Sequence, residues 1–262
     1  MSIVFSALVP HPPLLVPNIG KDHAAQLKAT AAAFERLKEN LYVARPDTIL
    51  IISPHGLIQT KAFSMNLAPE FNINFEHFGD FATKFSVQGD VGLAYQIKEQ
   101  LETTAPLQLI TEPLLDYGSG IPLYFLLPPN SLTKIIPLYY SGLELQSHFE
   151  FGLELKKQLM RSTKRIAVIA SGDLSHRLSP TSPAGYSDKG QKFDQKVIDY
   201  LIRQQPEELI NLSHQLIVEA SECGLKSIII LMGILNGINY KAETLAYETP
   251  FGVGYLTMQF TI

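Results

Sequence analysis

Disulfide bonds, zinc ribbons and an excess of positive charge are all missing from this chain. Cys223 is the only cysteine among 262 residues, and there is no tryptophan. One thiol closes no intramolecular bridge and completes no multi-cysteine zinc module. Lys and Arg number 21 against 25 Asp and Glu, a formal net charge of −4, and the pI is near 6.0. A nucleic-acid partner is not expected without a basic footprint. The longest apolar run, Ser227 to Leu235, falls short of the roughly 20 residues of a membrane-spanning helix, so no membrane partner is expected. Met1 to Val9 has no basic segment and runs straight into Pro10, Pro12 and Pro13. That is not a secretory leader, and the expectation is a soluble, cytoplasmic protein. Hydrophobic residues make up 46% and charged residues 18%, with a mean hydropathy of +0.09. A chain this apolar buries enough surface to offset its conformational entropy, which excludes disorder.

What is present alternates between strand and helix. Ile3 to Val9 reads as a strand, Asp22 to about Asn40 as a helix, and Thr48 to Ser53 as a strand buried on both faces. Phe63 to Phe85 mixes β-branched and aromatic residues without clear period and reads as strands and loops. Gly92 to Glu102 is helical, Leu107 to Thr111 and Ile135 to Tyr139 are strands, Leu143 to Arg161 is a helix, and Ile166 to Ala170 is a strand. Helices follow from Ser187 to Asn236, broken at Pro206 and Gly224. Tyr240 to Ala246 and Gly252 to Phe260 form a terminal hairpin around Pro250. The pattern predicts one α/β domain over residues 1–262, with a central mostly parallel or mixed sheet and helices on both faces.

Three of the seven histidines follow predicted strands. His11 comes after Ile3 to Val9, His55 after Thr48 to Ser53, and His176 after Ile166 to Ala170. In an open α/β sheet the crevice beyond the carboxyl ends of the strands is where ligands bind. Pro10, Pro12 and Pro13 stiffen the backbone at His11, and Pro54 and Gly56 bracket His55, which suits metal ligands. His23, His77, His148 and His214 lack this placement and read as structural or surface residues. Two histidines and a carboxylate bind non-haem Fe(II) with positions left open. Asp173 and the acids of Val218-Glu219-Ala220-Ser221-Glu222-Cys223-Gly224-Leu225 are the candidates for that carboxylate. An acid ahead of an apolar helix also complements the helix dipole, so on the residues alone both readings stand.

Val9-Pro10-His11-Pro12-Pro13-Leu14-Leu15, Ser53-Pro54-His55-Gly56, Ser171-Gly172-Asp173-Leu174-Ser175-His176 and Glu222-Cys223-Gly224-Leu225 occur in that order. Together they resemble the class III extradiol ring-cleavage dioxygenases of the LigB type, whose relatives include Memo-like proteins. The closing Tyr247-Glu248-Thr249-Pro250-Phe251-Gly252-Val253-Gly254-Tyr255 resembles the same relatives. The resemblance implies an Fe(II)-dependent oxidoreductase that opens the ring of a catechol-type substrate with O₂. It implies His11, His55 and Glu222 as metal ligands, with Glu219 or the adjacent Cys223 as alternatives, the cysteine being the Memo-like choice. His176 would be the acid and base above the metal; Asp173 either orients that ring or, since Asp173 and Ser175 both have N-cap chemistry, caps a helix. Family members commonly associate, so a homo-oligomer is permitted. One position departs from the pattern: Leu115-Asp116-Tyr117-Gly118 stands where relatives show Leu-Asp-His-Gly, which keeps a hydrogen-bond donor but not one that titrates near neutrality. The alternatives are a Zn²⁺-dependent hydrolase, since two histidines, a carboxylate and a thiol suit zinc, or a Memo-like metal-binding or partner protein without dioxygenase activity.

Overall fold

In the computed structural model, which describes residues 2–262, the apolar runs become the centre of an eight-stranded sheet. Strands β1 (Ile3–Val9), β2 (Thr48–Ser53), β7 (Lys134–Tyr139) and β8 (Ile166–Ser171) lie parallel in the order β7-β2-β8-β1. Every residue of β2 and β8 is buried. Ile49 and Ile51 face one core while Leu50 and Ile52 face the other, and Ala167 and Ile169 oppose Val168 and Ala170 in the same way. The side chains alternate in direction without alternating in polarity, because both faces are covered.

The flanking strands make the sheet mixed. On one side β3 (Phe63–Asn66) pairs antiparallel with β7 and parallel with β6 (Leu107–Ile110). On the other, β10 (Tyr255–Thr261) runs antiparallel to β1 and pairs with β9 (Lys241–Glu248), the expected terminal hairpin. The aperiodic middle segment supplies β3 and a separate two-stranded sheet of β4 (Glu70–Phe75) and β5 (Asp80–Gln88).

Helices cover both faces. One core is closed by α3 (Val91–Leu101), α5 (Leu145–Arg161), α6 (Asp188–Ile202), α7 (Pro206–Ile210), α8 (His214–Ala220) and α9 (Leu225–Leu235). The other is closed by α1 (Pro17–Gly20), α2 (Lys28–Ala44), α4 (Tyr117–Leu126) and the β4–β5 hairpin. The helix expected from Asp22 begins later: Lys21–Leu27 is a 3₁₀ segment with no side-chain cap, and regular α-helix starts at Lys28. Helix α4 escapes the sequence pattern altogether. It holds Pro122 and two glycines and is buried at most positions, so it has the composition of a loop and no polar face to reveal its period.

Because β1, β2 and β8 are parallel neighbours, their carboxyl ends open at one edge. The segments carrying His11, His55 and His176 therefore leave the sheet side by side.

Candidate metal centre

The donor cluster is assembled by strand register and two close backbone crossings. Val9 pairs with Ser171, and two residues further on His11 lies buried with its Nδ1 2.8 Å from Ser171 Oγ. The His11 backbone N–H donates to Asp173 Oδ1 at 3.0 Å. His55, two residues past β2, turns its Nε2 to within 3.0 Å of His11 Nε2. The Tyr117 ring stacks on His55 at 4.3 Å between centroids.

The remaining donors come from the loop after β8 and the α8–α9 link. These cross at Gly172 and Gly224, where a Cβ on Gly172 would lie 2.2 Å from Gly224 Cα; only glycine permits that approach. The crossing lets the Asp173 carbonyl accept the Gly224 N–H at 3.0 Å and the Asp173 N–H donate to Cys223 Sγ at 3.3 Å. Cys223 Sγ and Asp173 Oδ2 each stand 3.6 Å from His11 Nε2. His11, His55 and Cys223 form one group whose ligand atoms all lie within 4.8 Å of one another, and Asp173, His176 and Cys223 form a second. The His176 N–H is held by the Ala220 carbonyl at 3.0 Å, while its buried Nδ1 has no partner.

The expected acids divide. Asp173 lies in the cluster. Glu222 does not join His11 and His55: its carboxylate accepts the Leu225 N–H at 2.6 Å and caps the start of α9, the helix-terminus role that the sequence left open. Ser221, in the left-handed region at φ 53, ends α8 and turns the chain between Ala220 and the cluster. Beyond that turn Cys223, not its neighbour, faces His11. Glu219 lies aside, accepting from Ser187 Oγ at 3.0 Å and pairing with Arg177 at 3.5 Å. His148 is a structural residue: its Nε2 accepts the Ser141 N–H at 3.2 Å and its Nδ1 donates to the Glu144 carbonyl at 2.8 Å. His23 and His214 are exposed. His77 lines a cleft of about 510 Å³ beside His55, walled by Leu57, Phe75, Phe78, Tyr117 and Tyr139.

Electrostatics suit a cation. Burial, with the charge of His176 nearby, lowers the His11 pKa to about 3. Burial and the two neighbouring imidazoles do the same to His55, also to about 3. Both rings are therefore neutral at pH 7 and offer lone pairs. Burial raises Asp173 to about 6 against the opposing His11 N–H, and raises Cys223 well above the ordinary thiol range, aided by the Asp173 charge. A dication beside them favours the ionised carboxylate and thiolate, and their two negative charges balance it. Bonds of about 2.1 Å to nitrogen and about 2.3 Å to sulfur, at angles of about 90–109°, set N···N at about 3.0–3.4 Å and N···S at about 3.1–3.6 Å. The observed 3.0 and 3.6 Å fall within both ranges. The residues present fit a divalent metal. Among the described residues, no helix is long and apolar enough to cross a membrane.

Comparison with known proteins points the same way. A family model described as the catalytic LigB subunit of aromatic ring-opening dioxygenase matches residues 6–258. A Clostridium acetobutylicum protein is 31% identical over 99% of this chain, which spans 58% of that relative's length. The beta subunit of a 2-aminophenol 1,6-dioxygenase from a Pseudomonas species is 22% identical over 99% of this chain and 94% of its own. Among solved structures, an uncharacterized Escherichia coli protein matches with a TM-score of 0.71 at 19% identity, over 98% of this chain and 99% of that one.

Proposed function

The chain belongs to the LigB family of ring-opening dioxygenase subunits, and from that premise we propose that it is an Fe(II)-dependent extradiol dioxygenase acting on an aromatic ring with adjacent hydroxyl or amino substituents. The observation that carries the reading is the pair of imidazoles whose Nε2 atoms face each other at 3.0 Å, with Cys223 and Asp173 beside them. His11, His55 and Cys223 would hold the metal, with Asp173 next to it. When bound, the metal supplies Lewis acidity towards the ring substituents and a site for O₂.

The chain's own residues supply the rest. The His176 imidazole takes a proton from a ring hydroxyl and later returns one, with Asp173 fixing the loop that carries it. Tyr117 covers His55, and the apolar wall of Leu57, Phe75 and Phe78 receives the ring and excludes water. The Pseudomonas relative's name adds 2-aminophenols to catechols as candidate substrates.

The test is oxygen uptake by protein loaded anaerobically with Fe(II) and offered both substrate panels, with His176→Ala alongside. Stoichiometric uptake with a coloured ring-opened product, lost in a variant that keeps its iron, is the expected result. Iron-loaded protein that stays silent across both panels rejects it. A second reading, a Zn²⁺-dependent hydrolase, is favoured by one observation, the thiol in the donor set. It predicts turnover without O₂ and zinc in the protein as isolated.

A further inference from the structure

Helix α4 was invisible in the sequence because it contains Pro122, and that proline has a consequence at the donor cluster. In an α-helix the N–H of residue 122 donates to the carbonyl of residue 118. Proline has no N–H, so the Gly118 carbonyl in the first turn of α4 is left without its intrahelical donor. Ser171, at the end of β8, fills the place: its hydroxyl donates to Gly118 O at 2.5 Å. A hydroxyl has one proton. With that proton committed to a carbonyl, which only accepts, Ser171 Oγ must accept from His11 Nδ1, 2.8 Å away. His11 then carries its proton on Nδ1, and its bare Nε2 faces His55 and Cys223.

We propose that Pro122, Gly118 and Ser171 form a positioning relay that fixes the tautomer of His11 and aims its Nε2 lone pair at the donor cluster. For the identity of what is bound there, the proposal rests on the metal reading above. The same turn of α4 steadies the second histidine: Ser53 Oγ donates to Asp116 Oδ1 at 2.5 Å and accepts the His55 backbone N–H at 3.3 Å. Gly118 lies between the two relays, where a Cβ would fall 2.6 Å from Ser53 Oγ and 3.1 Å from His55 Cδ2. One helical turn thus serves both imidazoles. It reaches one through a carbonyl that lacks its intrahelical donor and the other through a capping carboxylate.

Two measurements test this. Long-range ¹H–¹⁵N spectra of metal-free, ¹⁵N-histidine-labelled protein read the tautomer directly, with His11 assigned by comparison with His11→Gln. The wild type is expected to show His11 protonated at Nδ1. The affinity for Zn²⁺ alone, measured by competition with a chromophoric chelator, is expected to fall about ten- to a hundredfold in Ser171→Ala, with recovery in Ser171→Thr. Pro122→Ala restores the intrahelical donor to Gly118, which then competes with the Ser171 hydroxyl. It should weaken Zn²⁺ several-fold while leaving the melting temperature unchanged or raised, an outcome that a purely structural proline would not give. A wild-type His11 protonated at Nε2, or a Ser171→Ala variant with undiminished affinity, overturns the relay. A wild type that binds neither Zn²⁺ nor Fe²⁺ rejects the metal reading instead, and the spectra still decide the tautomer.

Discussion

The two edges of the central sheet carry different cavities and different chemistry. At the amino ends of the strands lies a groove of about 1230 Å³, lined by Tyr42, Val43, Leu127 and Leu132 with Lys134 and Lys164. At the carboxyl ends the cleft beside His55 is less than half that size. Yet neither group of candidate metal donors draws on the larger groove. Asp90, a buried charge paired with the groove's Lys164, is fully engaged, accepting from Thr48 Oγ1, from Lys164 and from the Leu93 N–H at the start of α3. At the opposite edge the buried groups are left with lone pairs or displaced protons. Strand polarity, which aims loops and donors outward at the carboxyl ends, locates the candidate donors where cavity size does not.

The largest expected effect comes from removing a cluster donor. His55→Ala should lower divalent-metal affinity by at least about a hundredfold and abolish turnover, with little change in melting temperature because His55 is only partly buried. Metal stoichiometry and calorimetry together measure this. Undiminished metal binding would show that His55 is not a ligand and that the donors lie elsewhere. Asp90→Ala should do the reverse at the other edge. It strands the Thr48 hydroxyl and the helix-capping N–H and costs about 2–4 kcal/mol by urea unfolding, with metal stoichiometry intact.

Much of this contrast was legible in the sequence, and the parts that were not share a cause. The strand-end placement of His11, His55 and His176 follows from apolar runs whose buried character survives in any tertiary context. The choice between Glu222 and Cys223 does not, because neighbouring residues point in different directions. A single left-handed residue, Ser221, decides which faces His11. Ser171 and Ser53 end β8 and β2 and open two of the motifs, but nothing in the sequence marks them as partners of an imidazole or of α4. Their role exists only once α4 is in place, and α4 goes unassigned in the sequence because a mostly buried helix with an internal proline displays neither period nor polarity.

The two edges should also respond to pH with opposite sign. Burial raises the Asp90 pKa, but the hydrogen bonds from Lys164, Thr48 and Leu93 outweigh it and leave it below the ordinary carboxylate value. Its contribution is present above the unfolded pKa and is lost as the solution becomes more acidic. At the other edge, Asp194 receives the Ser175 N–H at 2.8 Å and the Tyr247 hydroxyl at 2.7 Å. Burial nonetheless raises it from 3.8 to about 6. The folded state then binds more protons than the unfolded one across that interval, so stability falls as pH rises through it, by at most about 3 kcal/mol. Asp173, also raised to about 6, adds to the same trend in metal-free protein. Asp194→Asn should remove its share of the decline in urea midpoints between pH 4 and pH 7. An unchanged slope would show that Asp194 titrates normally.

The smallest effect is the sharpest test of polarity over cavity size. Leu132 is 95% and Val43 76% exposed on the large groove, so neither packs in a core. Val43→Glu combined with Leu132→Glu should change unfolding free energy by no more than about 0.5 kcal/mol for each position. It should also leave metal stoichiometry, oxygen uptake and the His11 tautomer as in the wild type, because nothing in the groove reaches the donors across the length of the strands. The added charge does alter one property of that edge, its apolar surface, so sedimentation is the measurement to run beside turnover. A change in association state at constant specific activity would assign the groove to contact between copies and keep the chemistry at the carboxyl ends. A fall in specific activity without loss of metal would mean that the two edges are coupled, and strand polarity alone would then no longer explain where this protein works.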